Sequence, residues 1–367
     1  MRYRDLGLGV GQLPPGPLNA ITDVGEVQVG HNTLVEGDGP LVVGAGPVRT
    51  GVTVIVPHKG IAIHPVFAGC HRLNGNGELT GLEWVRESGT LTTPVAITNT
   101  HSVGVVRDAL VSADAAAKPN TAYWSLPVVG ETWDGRLNDI NGFHVRAFHV
   151  HQALAEAAGG PVPEGNVGGG TGMVCHGFKG GIGTASRVVD GGWTVGALVQ
   201  ANYGVRERLA VDGVPVGLEI GRGVVASPDD QPPAGDVGSI IVVLATDAPL
   251  LPHQCERLAQ RAGLGIARAG GSGAHSSGDL FLCFSTANAG RLRSYKDDLP
   301  DVPVDVTMLP DTAISPLFWG AIESTEEAIL NALVAAETMT GRDGITAYSL
   351  PHDRLVEAMT RYGRGPA

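Results

Sequence analysis

The stretch GDVGSIIVVLAT, residues 235–246, predicts the central element of the fold. A polar loop, SPDDQPPAGDVG (Ser227–Gly238), ends at a glycine, and after Ser239 an uninterrupted run of aliphatic residues begins. Such a run, bounded by turn residues, is typical of a strand that is buried on both faces. The sequence therefore places a serine hydroxyl at the mouth of a buried strand, directly after a glycine.

A serine at this position can react with its own backbone. Its hydroxyl can attack the carbonyl carbon of Gly238 and convert the peptide bond into an ester, because glycine leaves that carbonyl open and tolerates strained geometry. Hydrolysis of the ester would free Ser239 as a new chain terminus, and its α-amino group, with an ordinary pKa of about 8, suits a base for its own hydroxyl. The alternative is a serine that merely starts a strand after a turn.

Length and composition indicate the class of protein around this strand. The 367 residues allow one large or two moderate domains, and no linker divides the chain into independent halves. The hydrophobic fraction of 43% and the charged fraction of 17% exclude intrinsic disorder, and the 54 glycines lack the triplet period of collagen. We expect a dense α/β or α+β enzyme.

Charge and cysteine usage exclude several partners. With 25 basic and 37 acidic residues the net charge is −12, and no basic cluster forms a surface for nucleic acid. Neither a secretory signal nor an apolar stretch of membrane-spanning length is visible, so we expect a cytoplasmic protein with no membrane partner. The four cysteines are far apart in sequence and lack zinc-site spacing, which favours buried free thiols and no metal.

Hydrophobic periodicity predicts helices and strands on both sides of the junction. Apolar stripes predict helices over 103–117, 150–158 and 251–262, the last ending before Gly263 and Gly265. Ser324 and Glu327 form a capping-box pattern, which predicts a helix from Ser324 to Gly341. The predicted strands are 52–56, 94–98, 193–200, 240–245 and 280–285.

The junction and its surroundings resemble the self-cleaving L-aminopeptidase/D-esterase family, which includes the β-peptidyl aminopeptidases. Six further blocks resemble that family in the same order: ITDVGEVQVGHNTL from Ile21, LNGNGELTGLEWVRESG from Leu73, ITNTHSVGVVRDA from Ile97, GNVGGGTGMVCHGFKGGIGTASR from Gly165, VGALVQANYG from Val195 and SSGDLFLCFSTAN from Ser276. The resemblance implies a four-layer αββα sandwich, similar to the N-terminal nucleophile hydrolases but with different connectivity. It also implies a precursor that is cut between Gly238 and Ser239.

The products of this cut would be an α chain, 1–238, and a β chain, 239–367, which stay together as one catalytic domain. The resemblance further implies a homotetramer of such αβ units and no metal or organic cofactor. The expected function is a serine aminopeptidase that hydrolyses amides or esters at the N-terminal residue of short peptides through an acyl-enzyme. Two rivals are an uncleaved, non-catalytic relative that binds an amino compound, and an acyltransferase similar to the ornithine acetyltransferases, whose nucleophile is threonine.

Four residues match the catalytic positions of the family. Ser239 would be the nucleophile, and the side-chain amide of Asn202 would donate to the oxyanion. Ser277 and Asp279 would share the cleft, with Ser277 bonded to Ser239 and Asp279 orienting it or stabilising the charged amine. The structural alternatives are that Asn202 is a turn residue and that Ser277 and Asp279 belong to a loop in which they satisfy backbone donors.

Further positions are candidates for substrate binding. Glu131, with Asp134 close by, would pair with the substrate ammonium, against the alternative of an acidic surface turn. Trp133 stands where some relatives have a tyrosine, and its indole has no hydroxyl to offer the oxyanion.

The glycine-rich run 165–183 fits no phosphate-binding motif and is expected to line the cleft with backbone N–H groups. Asn74, Asn76 and Glu78 would shape the cleft or join the two chains, and the histidines at 144, 149, 151 and 275 are assigned to structure.

Overall fold

The computed structural model describes residues 1–117, 122, 124–230, 238–293 and 302–366. Its strands are β1 (Gln28–Glu36), β2 (Val48–Val56), β3 (Val66–Arg72), β4 (Thr90–Leu91), β5 (Val95–Asn99), β6 (Val128–Thr132), β7 (Val174–Cys175), β8 (Phe178–Lys179), β9 (Gly181–Val188), β10 (Thr194–Asn202), β11 (Ser239–Thr246), β12 (Asp279–Ser285), β13 (Met339–Thr340) and β14 (Thr346–Ala347). Its helices are α1 (Leu82–Ser88), α2 (Val103–Ala117), α3 (Ala147–Ala155), α4 (Val216–Glu219), α5 (Pro252–Arg268), α6 (Ser315–Val334) and α7 (His352–Arg361).

Two sheets form the middle of the molecule. The smaller sheet has the order β1-β2-β5-β6, and the larger has the order β4-β3-β12-β11-β10-β9. Neighbouring strands run antiparallel except for two parallel pairs, β5 with β6 and β11 with β12. The predicted central strand is confirmed: β11 is hydrogen-bonded on both sides, and all of its residues are buried.

Helices cover the outer face of each sheet. The outer face of the smaller sheet packs on α2 and α3, with Val54 and Ala96 against Val106 and Val150. The larger sheet packs on α5 and α6. A second apolar layer lies between the two sheets. It contains Ile55, Ile97, Val128, Leu198, Ile241, Val243 and Leu282. The αββα sandwich that the resemblance implied is confirmed, because each sheet buries one face on helices and the other on its partner sheet.

The predicted helix over 103–117 and the five predicted strands are confirmed, with strand ends moved by a few residues. The helix predicted over 150–158 is found as α3, three residues earlier at each end. Residues 231–237 of the polar loop lie outside the described ranges. The four cysteines are buried and free, as expected.

Two helix predictions were wrong at their ends. Helix α5 continues through Gly263 and Gly265. Gly265 does not end the helix but allows it to pack closely on α6, since a Cβ there would lie 2.6 Å from the carbonyl oxygen of Ile322. Helix α6 begins at Ser315, so Ser324 lies in its middle rather than at its cap. Its acidic residues are buried against basic ones instead of capping a helix end.

These buried charges tie α6 to the first half of the chain. The guanidinium of Arg187, which is fully buried, lies 2.6 Å from the carboxylate of Glu327 and 3.2 Å from that of Glu323. Arg4 lies 2.7 Å from the same Glu327 carboxylate. Paired in this way, the carboxylate of Glu327 keeps its pKa below the ordinary value despite burial, chiefly through the charge of Arg187.

Candidate active site

The topology brings the ends of several strands to one edge of the sandwich. Parallel strands β11 and β12 begin side by side, with Ile240 opposite Asp279, and antiparallel β10 ends there with Asn202 opposite Ser239. In the other sheet, β5 and β6 end at Asn99 and Thr132. Residues that are far apart in sequence therefore meet at this edge.

Ser239 is the first residue of β11 and is only 6% exposed. Its Oγ accepts a hydrogen bond of 3.0 Å from the backbone N–H of Gly278. The preceding Gly238 packs tightly on the end of β10, since a Cβ there would lie 2.2 Å from the carbonyl oxygen of Asn202. Glycine is thus required at 238 by close approach, which the sequence argument did not anticipate.

Asn202 is held next to Ser239 with its amide in a fixed orientation. Its Oδ1 accepts from the backbone N–H of Val174 at 2.8 Å, and its Nδ2 donates to the carbonyl oxygen of Trp133 at 2.9 Å. These two bonds identify which end of the amide carries the donor hydrogens. The Nδ2 group has two hydrogens, so one can serve Trp133 while the other serves a reacting carbonyl.

Ser277 and Asp279 form a pair beside the nucleophile candidate. The Ser277 hydroxyl donates to Asp279 Oδ1 at 2.5 Å, and the Asp279 backbone N–H donates to Asn74 Oδ1 at 2.7 Å. The expected bond between Ser277 and Ser239 is not formed: the Ser277 hydroxyl donates to Asp279, and the Ser239 Oγ accepts from the Gly278 N–H. The pair is fixed next to Ser239 and leaves the oxygen of the Ser277 hydroxyl available as an acceptor.

Glu131 lies in strand β6 and is buried, so the alternative of an acidic surface turn was wrong. Its carboxylate accepts from the backbone N–H of Glu78 at 3.0 Å and from the hydroxyl of Thr100. Burial raises the pKa of this carboxyl, and the two hydrogen bonds oppose the rise. No ion pair joins Glu131 to a basic side chain among the described residues, and a buried carboxylate of this kind at a cleft wall suits a cationic ligand.

Trp133 and Asp134 follow Glu131 but have different positions. Trp133 lines the cleft, and its carbonyl oxygen holds Asn202. Asp134 is fully buried behind the cleft, where its Oδ1 accepts from Asn138 Nδ2 at 3.1 Å. Burial raises the pKa of Asp134 to about 6.

The asparagine-rich turn joins segments from the two sides of the Gly238–Ser239 bond. Asn74 Nδ2 donates to the carbonyl oxygen of Ala274 at 2.8 Å, and Asn76 Nδ2 donates to that of Ser276 at 2.7 Å. Both roles expected of this turn are therefore compatible with the structure, since Asn76 also lines the cleft.

One cleft of about 500 Å³ lies at this edge, lined by Asn76, Gly77, Glu78, Thr100, His101, Glu131, Trp133, Gly238, Ser239 and Ser276. Asn202, Ser277 and Asp279 adjoin Ser239 but are not among the lining residues. The glycine-rich run 165–183 was expected in this lining and is not part of it, since it lies behind Asn202 and supplies the Val174 N–H. Sequence reasoning missed Thr100, His101 and the Gly278 N–H. The first two follow directly after β5 and become visible only once β5 is paired with β6.

The described residues contain no group of three or more His, Cys, Asp or Glu side chains placed to hold a metal ion. Within those same ranges no helix combines the length and the apolar character needed to cross a bilayer.

A four-layer sandwich with a serine and a buried carboxylate at one cleft defines the class of this protein as a hydrolase. Comparison with protein families narrows the class, because the model of peptidase family S58 matches residues 19–347. The chain belongs to peptidase family S58 and is an aminopeptidase, as the resemblance implied.

Relatives and solved structures agree with this assignment. The chain is 50% identical to β-peptidyl aminopeptidase BapA of Sphingosinicella microcystinivorans, over 99% of this chain and 93% of that protein. It superposes on a Burkholderia β-aminopeptidase with a TM-score of 0.92, at 55% identity and 99% coverage of both chains. With the L-aminopeptidase D-Ala-esterase/amidase of Ochrobactrum anthropi, described as a new variant of the Ntn hydrolase fold, the TM-score is 0.91 at 46% identity, covering 100% of this chain and 99% of the other.

Proposed function

We propose that this aminopeptidase cuts its own chain between Gly238 and Ser239 and then uses Ser239 to release the N-terminal residue of short peptides, amides or esters. The observation that carries the proposal is the cleft itself. It places the Ser239 hydroxyl beside the Asn202 amide and the Ser277–Asp279 pair, with a buried carboxylate on the facing sheet. The names of the relatives support β-amino acids as first residues.

Self-cleavage would begin with attack of Ser239 Oγ on the carbonyl carbon of Gly238. The C–N bond breaks, the nitrogen of Ser239 takes up the proton from its hydroxyl, and an ester joins Gly238 to Oγ. Water then hydrolyses the ester, which gives a carboxylate at Gly238 and restores the Ser239 hydroxyl beside its free α-amine. The close approach of Gly238 to Asn202 supports this step, because it fixes the backbone of the residue before Ser239 against the end of β10.

Peptide hydrolysis would use the new terminus. Ser239 Oγ attacks the substrate carbonyl, the α-amine accepts the hydroxyl proton and passes it to the leaving amine, and water hydrolyses the acyl-enzyme. Asn202 Nδ2 would donate to the oxyanion, a contact typically worth about 3–4 kcal/mol of the barrier. Asp279, which accepts from Ser277, would stabilise the protonated amine.

Selection of a free N-terminus would fall to Glu131. Its buried carboxylate would pair with the ammonium group of the first residue, so that an acylated substrate would leave a buried charge unpaired. Trp133 would form the adjacent wall of the cleft. The tetramer and the cytoplasmic location stay predictions from the sequence.

Mass spectrometry of the purified protein under denaturing conditions tests the proposal. We expect two polypeptides, 1–238 and 239–367, together with turnover of aminoacyl p-nitroanilides. Ser239→Ala should give one full-length chain without turnover, whereas the matched variant Ser276→Ala, at a neighbouring serine of the cleft, should still be cut. Brisk turnover by an uncut wild-type chain would contradict the mechanism, and an uncut chain without turnover would favour the non-catalytic binder.

A further inference from the structure

An aromatic pair stands at the rim of the cleft, next to the buried carboxylate. His101 lines the same cleft as Glu131 and follows Thr100, whose hydroxyl donates to the Glu131 carboxylate. The imidazole of His101 stacks on the ring of Phe143, with 5.9 Å between ring centroids and 22° between planes. Phe143 itself is 54% exposed.

The backbone of Phe143 is unusual for its residue type. It has φ 52° and ψ 49°, the left-handed conformation that a bulky side chain adopts only at a cost in free energy. A single exposed aromatic residue needs no explanation, but one that is held in a strained conformation beside a cleft is a candidate for a functional position.

The loop that carries Phe143 is anchored. Asp139 is buried, and its Oδ2 lies 2.9 Å from His144 Nε2 and accepts from the backbone N–H of Gly44 at 2.7 Å. The N–H of Gly142 donates to the carbonyl oxygen of Asp139 at 3.1 Å, and a Cβ at Gly142 would lie 2.2 Å from His144 Nε2. Phe143 is therefore an exposed apolar side chain on a tightly bonded loop, which lowers the entropy lost when a ligand packs on it.

The position of this pair fits one part of the substrate. With the carbonyl carbon at Ser239 and the ammonium at Glu131, the side chain of the first residue branches off between these two points. His101, beside Glu131, is the adjoining wall, and Phe143 extends that wall toward solvent. An aliphatic or aromatic side chain would bury apolar surface there, whereas an unsubstituted residue would leave the wall unused.

We propose that His101 and Phe143 form an apolar subsite for the side chain of the substrate's first residue, so that the enzyme favours bulky apolar N-terminal residues over unsubstituted ones. This subsite rests on the proposed function of the cleft, since its place is defined by Ser239 and Glu131.

The test compares two substrates with the same leaving group, β-homoleucyl p-nitroanilide and β-alanyl p-nitroanilide. We expect wild type to have the higher kcat/KM on the β-homoleucyl substrate, and Phe143→Asn to lower the ratio of the two kcat/KM values about 10-fold, mainly through KM. Asparagine tolerates the left-handed backbone, so the loop should keep its shape. Phe143→Gly, which adopts that backbone freely, should lower the ratio equally and serves if the first variant fails to fold.

The matched control is Phe148→Asn, which makes the same change at an exposed phenylalanine of α3. It should keep the wild-type ratio. An unchanged ratio in both Phe143 variants, or a wild-type preference for the β-alanyl substrate, would overturn the subsite while leaving the proposed function intact. Absence of wild-type turnover on both substrates would overturn the proposed function and the subsite with it.

Discussion

Two buried carboxyl groups three residues apart in sequence have different surroundings and different consequences. Glu131 faces the cleft, where a ligand can reach it, whereas Asp134 is sealed behind it. Burial raises the pKa of both. Burial therefore disfavours the charged form of each carboxyl, and only the charge of Glu131 has a proposed use.

Neutralising Asp134 should change how stability depends on pH. The pKa of Asp134 is about 6 in the folded protein against 3.8 for an ordinary aspartate, so wild type loses stability as the pH rises from about 4 to 7. The shift of about 2 units corresponds to about 3 kcal/mol over this range. Asp134→Asn lacks this loss, so its free energy of unfolding relative to wild type should improve toward pH 7, as measured by urea denaturation. A difference between the two proteins that is constant with pH would contradict the assignment.

Neutralising Glu131 should affect substrate binding. Glu131→Gln keeps the shape of the side chain and removes its charge, so we expect KM for a free-amine substrate to rise about 10-fold or more. Steady-state kinetics at neutral pH measures this change. Glu78→Gln removes another charge of the same cleft, on an exposed side chain that water screens, and it should raise KM far less. Equal effects of the two variants would remove Glu131 from ammonium recognition.

At the scale of elements, sequence patterns predicted the bounds best for two kinds of element. These are helices buried on one face and short strands buried on both. Helix α2 has one apolar stripe and ends where predicted, and β11 is an unbroken aliphatic strand. Helix α6 is buried on nearly every side, including its glutamates, so its hydrophobic period is weak and its start was misplaced. Its charged residues have partners far away in sequence, which no local pattern contains.

Some residues of the candidate site could be predicted from the sequence and others could not. Ser239 was predictable because a strand mouth is a local feature, and Asn202, Ser277 and Asp279 came from the family resemblance. The contributions of Thr100, His101 and the Gly278 N–H depend on which strands become neighbours. That pairing is set by long-range contacts between the two sheets, which the spacing of residues along the chain does not show.

The two glycines of α5 offer a matched test of helix packing. Gly265→Ala should lower the free energy of unfolding by about 1–3 kcal/mol, because the added methyl would lie 2.6 Å from the carbonyl oxygen of Ile322 in α6. Gly263→Ala meets nothing closer than 3.6 Å and should raise it by about 0.5–1 kcal/mol through helix propensity. Chemical denaturation of the two variants measures both changes, and effects of the same sign would contradict the packing argument.

At the scale of the whole molecule, the proposed α and β chains are interleaved rather than adjacent. Strand β11 of the β chain lies between β10 of the α chain and β12, and β12 in turn pairs with β3 of the α chain. Across the same boundary Arg187 meets Glu323 and Glu327. Sheet pairing and buried ion pairs together explain why a single cut would not separate the chains.

Removal of the Arg187 guanidinium from this buried ion cluster should strongly destabilise the fold. Arg187→Met leaves Glu323 and Glu327 short of a buried partner, so we expect a loss of about 3–5 kcal/mol in the free energy of unfolding, measured by chemical denaturation. Arg354→Met breaks an exposed ion pair with Glu357 and should cost far less. Similar losses in the two variants would show that the Arg187 cluster contributes no more than a surface pair.

The interleaving of β11 would also determine how the cut enzyme refolds after full denaturation. An intact chain regains its structure by itself, at a rate that dilution does not alter. If the chain has been cut, its two fragments separate on denaturation. They must associate again before β11 can pair with β10 and β12. Recovery of activity would then become slower as the protein is diluted. The uncut Ser239→Ala chain would refold at the same rate at every protein concentration.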